Sequence, residues 1–255
     1  MNLSTEGGGT GGSAQAASPN HGPRPDGATV DLLILHYTGM PSGEGALRWL
    51  CDPASQVSCH YVAFEDGGIV QIVDEDRRAW HAGVSSWRGD TDINSRSIGI
   101  EMVNPGHEHG YRAFPDAQIA AVTALCADIV GRHGIQPRNV LAHSDIAPLR
   151  KEDPGELFPW AELAAVGVGH FAEPAPIRGG RFLQAGEEGE PVAALQSMLA
   201  LYGYDTPLTG RFCDVTAAVV RAFQRHFRPA RVDGIADVST IETLHRLLKA
   251  LPSLD

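Results

Sequence analysis

The sequence predicts an α/β protein in which a central mixed β-sheet is flanked by helices and a small three-helix C-terminal domain follows. Short apolar runs alternate with helical patterns through the first part of the chain, whereas the last part carries three helical patterns and no strand pattern. Hydrophobic residues make up 43% and charged residues 20% of the 255 residues. This composition is typical of a globular chain with one or two domains.

Five apolar segments are predicted to be strands. Residues 30–36 form a nearly continuous apolar run, which is typical of a buried strand. Residues 60–64 and 69–73 flank a Gly-rich turn and therefore predict a hairpin. Residues 97–103 and 139–143 supply two further strands.

Helices are predicted between and after these strands. One short helix covers residues 44–50, and another covers residues 159–168 at the end of the α/β part. The strongest pattern begins at Pro115, has apolar residues at helical spacing and ends at Gly134. Residues 144–155 are polar and predict a loop.

Composition divides the chain into four parts. Residues 1–28 are rich in Gly, Ser and Ala and predict a flexible tail, because they cannot bury enough apolar area to offset the entropy of ordering. Residues 29–170 form the α/β domain, and residues 171–186 predict a Pro- and Gly-containing linker. Residues 187–255 form the helical domain.

An internal repeat lies in the helical domain. Residues 210–216 align with residues 234–240, and each copy has a glycine turn, an aspartate and a threonine in register. Thr216 and Thr240 are predicted to cap the helices that follow them through their side-chain oxygens. Chance similarity between two helix starts is the alternative.

Charge and cysteine content exclude several classes of protein. Lysine and arginine total 20 against 31 aspartate and glutamate residues, and the net charge of -11 argues against binding to nucleic acid. No apolar segment approaches the ~20 residues that cross a bilayer. The four cysteines are scattered singly, so reduced thiols are expected rather than a zinc knuckle or a disulfide framework.

The N-terminal residues lack the basic and apolar regions of a signal peptide. A cytoplasmic location is therefore the favoured expectation. A periplasmic or wall-associated location would apply instead if the sequence had lost such a segment.

Three residues are candidate metal ligands. His36 and His143 each end a predicted strand, where a sheet presents side chains to a cleft, and Asp153 lies in a loop that contains Pro148 and Pro154. Two imidazoles and one carboxylate are a common protein set for a catalytic zinc ion, with the fourth position left to water. Because the chain has eleven histidines, an ordinary polar role for both of them is the alternative.

Two further residues are candidates for catalysis. Glu101 is predicted to face away from Ile98 and Ile100, on the side of the strand that reaches the cleft, where a carboxylate serves as a general base. Lys151 precedes Asp153 by two positions and is a candidate for stabilising an oxyanion. A solvated charge is the alternative for each.

Seven segments occur in an order that resembles the type-2 N-acetylmuramoyl-L-alanine amidases, which are relatives of the peptidoglycan recognition proteins. They are residues 34–38, 58–62, 79–83, 97–101, 142–148, 150–155 and 158–160. The resemblance covers about residues 29 to 170. The C-terminal part is similar to a small helical peptidoglycan-binding domain.

The resemblance implies a function and a set of roles. It implies a Zn²⁺ ion held by His36, His143 and Asp153, with Glu101 and Lys151 as catalytic residues. The bond cut would be the amide between N-acetylmuramic or anhydro-muramic acid and L-alanine of the stem peptide, in wall turnover or muropeptide recycling. The partners would be peptidoglycan fragments or muropeptides. A non-catalytic muropeptide receptor is the rival interpretation, and the helical domain is predicted either to bind glycan or to serve as an interface.

The same resemblance suggests residues that contact substrate. Trp80 and His81 are predicted to line the cleft, His60 lies in a family-like motif, Asn94 is a candidate for holding the stem peptide, and Tyr37 is a candidate for the cleft rim. The alternatives are structural: Trp80 in the core, His60 hydrogen-bonded within the sheet and Asn94 in a turn. The His-rich segment 104–114 predicts a solvated loop.

Overall fold

The computed structural model describes residues 17–251, and two sheets lie in its first domain. The larger is a five-stranded mixed sheet with the strand order β4-β3-β6-β2-β7, and the smaller pairs β1 with β5. The strands are β1 (His21–Pro23), β2 (Leu32–Tyr37), β3 (Tyr61–Ala63), β4 (Ile69–Gln71), β5 (Arg77–Ala79), β6 (Ser97–Met102) and β7 (Val140–Ala142). The predicted fold class is therefore confirmed.

Helices flank the sheet and make up the second domain. Those of the α/β domain are α1 (Gly43–Cys51), α2 (Ile93–Arg96), α3 (Gly106–His109), α4 (Asp116–His133), α5 (His143–Ile146) and α6 (Trp160–Ala165). Those of the helical domain are α7 (Glu190–Tyr202), α8 (Asp214–Phe227) and α9 (Val238–Ala250). Among residues 17–251, no helix is both long and apolar enough to cross a membrane.

The register of the central strands places the candidate site. β2 runs parallel to both β6 and β7, and His36 lies opposite Glu101 in the β2–β6 pair. Leu35 pairs with Ala142, the residue before His143. Because the carboxyl ends of parallel strands meet at one edge of a sheet, His36, Glu101 and His143 lie at the same edge.

One predicted loop is partly helical. Residues 144–155 were expected to form a loop, but α5 (His143–Ile146) begins directly after β7. The Asp145 carboxylate, in the first turn of α5, accepts a hydrogen bond from the N–H of the N-cap residue Ala142 at 2.8 Å. This backbone donor has no partner within the helix, so the bond favours a helix start directly after β7. The hairpin and the long helix agree with their predictions.

The predicted flexible tail is wrong for residues 17–28. Ser18 and Asn20 are buried, and β1 pairs with β5. The Asn20 side chain donates to the carbonyls of Asp52 at 2.8 Å and Val57 at 2.9 Å, so polar contacts replace the apolar area that this segment lacks. The rest of that prediction, residues 1–16, lies outside the described residues.

The internal repeat is built around two glutamines. In the first copy, Gln196 accepts a hydrogen bond from the Gly210 N–H at 2.9 Å and donates to the Thr216 hydroxyl at 3.0 Å. In the second copy, Gln224 makes the same two bonds with the equivalent glycine and threonine, at 2.9 and 3.2 Å. Each buried carboxamide therefore fastens a glycine turn to the helix that follows it.

The predicted role of the two threonines is wrong. The N-cap of α9 is Asp237, whose carboxylate accepts from the Thr240 N–H at 2.8 Å, and the N-cap of α8 is Cys213. Thr216 and Thr240 lie inside the first turns of their helices, where their hydroxyls accept from the repeat glutamines.

The two domains share one hydrophobic core. Its buried residues include Leu32, Ile34 and Ile146 from the α/β domain and Leu195, Val219 and Phe223 from the helical domain. The connecting segment, predicted as a linker, is packed as well, since Ala175 is buried and its backbone bonds to Thr243 at 2.9 Å and Ser239 at 2.6 Å. The second domain is therefore fixed against the first.

A buried carboxylate ties the domains together. Asp145, 1% exposed, accepts from the Tyr204 hydroxyl at 2.7 Å and lies 2.6 Å from the Nδ1 of His226. Arg225 forms an ion pair with Glu152 beside it. Both acidic residues belong to the segment that carries His143 and Asp153.

Substituting Tyr204→Phe is expected to lower the free energy of unfolding by about 1.5–3 kcal/mol, because it removes a hydrogen bond to a buried carboxylate. Urea denaturation measures this change. The matched control is Tyr202→Phe, which removes a hydroxyl that bonds to His170 at 2.9 Å and should cost about 0.5–1.5 kcal/mol. A Tyr204 variant as stable as the wild type would contradict the assigned contact.

Candidate metal centre and catalytic cleft

Three donor atoms converge at the carboxyl edge of the sheet. The Nδ1 atoms of His36 and His143 are 2.9 Å apart, and the Oδ2 of Asp153 lies 3.1 Å from the first and 2.9 Å from the second. All three side chains are buried. His36 thus forms one triangle of nitrogen and oxygen atoms with two residues that lie 107 and 117 positions later in the chain.

The outer ring nitrogens of both histidines face hydrogen-bond acceptors. The Nε2 of His143 lies 3.2 Å from the carbonyl oxygen of Ala82, which can only accept, so this nitrogen carries the proton. The Nε2 of His36 lies 3.0 Å from the Nδ1 of His81. If both Nε2 atoms donate, both Nδ1 lone pairs point into the triangle and face each other.

Electrostatics gives the triangle the protonation that a cation requires. Burial is the largest cause that lowers the pKa of His36, and together with the neighbouring His143 and against the opposing effect of Asp153 it brings that pKa to about 4, so His36 is neutral at pH 7. A neutral imidazole with an unprotonated ring nitrogen is the form of histidine that binds a metal ion, so His36 is in the state that a ligand requires.

Glu101 has a carboxylate oxygen without a partner. Its Oε2 is buried and accepts no hydrogen bond within residues 17–251. Burial raises the pKa of Glu101 well above its usual range, the charge of Asp153 adds to this, and Lys151 opposes it. A buried carboxylate with a free oxygen beside a triangle of ligand atoms is placed to exchange a proton with a bound molecule.

A cleft of about 260 Å³ joins these groups. Its walls include Glu101, His143, Lys151 and Asp153, so the structure brings both predicted catalytic residues next to the triangle. Tyr37 and Trp80 also line it, as predicted, although a contact with substrate stays a prediction for each.

Trp49 lines the same cleft and was not predicted from the sequence. Half of its surface is exposed. An aromatic residue on the polar face of α1 was the signal that could have identified it.

His60 does not lie in the cleft, and its predicted substrate contact is corrected to a structural one. Its side chain is fully buried. Its Nδ1 accepts from the Gly99 N–H at 3.0 Å, and its Nε2 lies 3.1 Å from the Arg77 carbonyl. Both ring nitrogens are therefore used by the backbone.

Asn94 is corrected in the same way. It is buried, and its Oδ1 accepts from the backbone N–H groups of His81 at 3.1 Å and Ala82 at 2.9 Å. His81 borders the cleft as predicted but is only 8% exposed, and its ring nitrogens contact His36 and Ser97 rather than open space.

The His-rich segment is also more ordered than predicted. The Nδ1 of His107, in α3, lies 2.9 Å from the Tyr37 hydroxyl, and its Nε2 lies 3.2 Å from Glu156. Its ring stacks on Tyr111 with 4.2 Å between the centroids. The segment expected to be a solvated loop therefore supports Tyr37 from behind the cleft wall.

Comparisons with protein families match both domains. The profile of the Amidase_2 family, N-acetylmuramoyl-L-alanine amidase, matches residues 26–156. The profile of the PG_binding_1 family of peptidoglycan binding domains matches residues 188–244.

Individual relatives are similar over long alignments. The N-acetylmuramoyl-L-alanine amidase AmiD of Escherichia coli (strain K12) is 41% identical over 255 residues, which cover 92% of this chain and 85% of AmiD. The 1,6-anhydro-N-acetylmuramyl-L-alanine amidase AmpD of Citrobacter freundii is 36% identical over 166 residues, which cover 58% of this chain and 87% of AmpD.

Solved structures are similar over the whole fold. E. coli AmiD, in complex with the substrate anhydro-N-acetylmuramic acid-L-Ala-D-γ-Glu-L-Lys, has a TM-score of 0.73 at 38% identity and covers 93% of this chain and 92% of its own. AmpDh3 of Pseudomonas aeruginosa has a TM-score of 0.73 at 30% identity and covers 99% of this chain and all of its own. A shared fold, a shared sequence and a cleft suited to hydrolysis lead to the same conclusion: this chain belongs to the N-acetylmuramoyl-L-alanine amidase family and is an amide hydrolase.

Proposed function

We propose that this enzyme hydrolyses the amide between the lactyl group of muramic acid, its 1,6-anhydro form included, and L-alanine of the stem peptide, with a Zn²⁺ ion held by His36, His143 and Asp153. The observation that carries the proposal is the triangle of metal-binding atoms beside the unpartnered Glu101 oxygen. The complexes of AmiD with an anhydro-muramyl tripeptide and of AmpDh3 with an anhydromuramic pentapeptide support the substrate class.

The donor set fits a zinc ion. Two unprotonated ring nitrogens 2.9 Å apart repel each other and the adjacent carboxylate oxygen, unless a cation lies between them. Two His and one carboxylate, with a fourth position open, are typical of catalytic zinc sites. The neighbouring cleft gives a substrate access to that position.

The reaction adds water to the amide carbonyl carbon and breaks its bond to the alanine nitrogen. A bound zinc ion supplies Lewis acidity, which polarises the carbonyl and lowers the pKa of water at the site to about 7. Glu101 takes the proton of the attacking water on its free oxygen and returns it to the leaving nitrogen. The Lys151 ammonium stabilises the negative charge that develops on the carbonyl oxygen. The products are a muramic acid carboxylate and a free stem peptide.

The helical domain is proposed to hold glycan at a fixed orientation to the cleft. The match to a peptidoglycan binding family supports binding, and the shared core with the Asp145 contacts supports the fixed orientation. Retention of the full chain on purified sacculi, compared with its release of stem peptide from them, tests this role. Hydrolysis without retention would leave the domain a structural role only.

Removal of the metal is expected to abolish turnover. Dialysis against a zinc chelator should reduce hydrolysis of anhydro-N-acetylmuramic acid-L-Ala-D-γ-Glu-L-Lys to background, and stoichiometric zinc should restore it, because the two histidines and Asp153 alone cannot polarise the amide. Mass spectrometry of the released peptide measures the rate, and elemental analysis measures bound zinc. Full activity in metal-free protein would overturn the proposal, and metal binding without hydrolysis would favour the receptor interpretation.

Glu101→Gln is expected to retain zinc and lose about 10²–10⁴-fold in kcat, because the variant has no base of comparable strength at that position. The control is Glu44→Gln, which changes an exposed carboxylate in the first turn of α1 and should leave kcat unchanged. A wild-type rate for the Glu101 variant would remove this residue from the mechanism.

Lys151→Met is expected to lower kcat by about 10²–10³-fold with a small change in KM, because the charge acts on the transition state more than on the bound substrate. The sequence has one other lysine, the exposed Lys249 in α9, and Lys249→Met is the matched control. Equal rates for the two variants would contradict an oxyanion role for Lys151.

A further inference from the structure

We propose that the dipeptide His81–Ala82 sets the ring tautomer and orientation of both histidine ligands, so that His81 and Asn94 are positioning residues of the metal centre. The inference rests on the proposed function, because it assigns a role toward the zinc ion that His36 and His143 would hold. It replaces the substrate contacts predicted for His81 and Asn94.

A chain of hydrogen bonds fixes the tautomer of His36. The Ser97 hydroxyl lies 2.7 Å from the Ile93 carbonyl, which can only accept, so Ser97 donates its proton there. Its oxygen then accepts from the Nε2–H of His81 at 3.1 Å. The Nδ1 of His81 is left as an acceptor for the Nε2–H of His36 at 3.0 Å. The Nδ1 of His36 consequently points an unprotonated lone pair at the metal site.

The backbone of the next residue does the same for His143. The Ala82 carbonyl accepts from the Nε2–H of His143 at 3.2 Å and also bonds to the Arg150 guanidinium. The guanidinium lies farther from that Nε2, at 3.5 Å, and donates instead to the carbonyl, so the shorter contact sets the proton on Nε2. The Nδ1 of His143 therefore also carries its lone pair. One side chain and one adjacent carbonyl thus orient the two ligand rings.

Two features hold the dipeptide in place. The Asn94 Oδ1 accepts from both of its N–H groups, at 3.1 and 2.9 Å. The His81 ring lies against Gly99 of β6, where a Cβ atom would come within 2.5 Å of the ring Cγ. A side chain at position 99 would therefore displace the ring, although Gly99 is not itself a proposed ligand.

The consequence is a site that is set up before the ion arrives. Without these acceptors, each imidazole would exist as a mixture of two tautomers and its ring would rotate freely. Metal binding would then have to select one tautomer and one ring orientation, which lowers the affinity. Loss of such outer hydrogen bonds typically costs 10–100-fold in metal affinity.

The first experiment measures zinc dissociation constants by competition with a chromophoric chelator, in the apo full-length protein. His81→Leu removes the acceptor for His36 and should weaken zinc binding by about 10–100-fold. His81→Asn keeps an acceptor near the Nδ1 position and should recover part of that loss. Asn94→Leu should also weaken binding, whereas Asn94→Asp keeps the acceptor for the two N–H groups and should weaken it less.

A second variant moves the ring without changing it. Gly99→Ala should displace the His81 ring and weaken zinc binding, with His81 and all three proposed ligands still present. The matched control is Gly131→Ala in α4, where an added Cβ meets no atom within 4 Å, and its zinc affinity should equal that of the wild type. Circular dichroism and thermal unfolding verify that each variant is folded.

Nitrogen NMR of the histidine rings in the wild-type apo protein measures their tautomers directly, so it tests the inference even if variants fail to fold. The Nε2–H tautomer is expected for both His36 and His143. An Nδ1–H tautomer for either ring, or a folded His81→Leu variant that binds zinc as tightly as the wild type, would overturn the inference. Wild-type protein that binds no zinc, with both rings in the Nε2–H form, would instead contradict the proposed metal while leaving the tautomer assignment intact.

Discussion

The mutual repulsion of three buried donor atoms is the constraint on which the rest of the structure depends. Two ring nitrogens and a carboxylate oxygen within 3.1 Å of one another do not associate spontaneously in a protein interior. They are held there by elements that converge from different parts of the chain: the ends of β2 and β7, the loop before Asp153 and the dipeptide before Gly83. The favourable free energy of folding opposes the repulsion between the three donor atoms, and a bound cation would reduce that repulsion.

The segment from His143 to Asp153 is held from both sides. On one side the Ala82 carbonyl contacts the ring of His143, and Asn94 in turn accepts a hydrogen bond from the Ala82 N–H. On the opposite side, Asp145 bonds to Tyr204 and His226, two residues of the helical domain. The second domain is therefore part of the support of the active site. A glycan bound to this domain would have a defined direction relative to the cleft.

The sequence predicted those features that depend on periodicity. Apolar runs located the five strands of the larger sheet but not β1 and β5, and the positions of His36 and His143 at strand ends placed both at the same edge of that sheet. Sequence reasoning failed where a side chain bonds to a distant backbone group, as Asn94 does over 12 and 13 positions and Asn20 over 32 and 37. A backbone carbonyl or N–H has no signature in the sequence, so a polar residue that binds one resembles a residue that binds substrate.

Gly99 is a second kind of residue whose role could not be predicted from the sequence. Gly99 lies two positions before Glu101 and therefore on the same side of β6, but a missing side chain indicates no chemistry in a sequence. In the structure this missing side chain makes room for the His81 ring, which in turn contacts His36. A single methyl group at position 99 would meet the His81 ring while all three proposed ligands stay unchanged, so a substitution there would act on the proposed metal centre only through that ring.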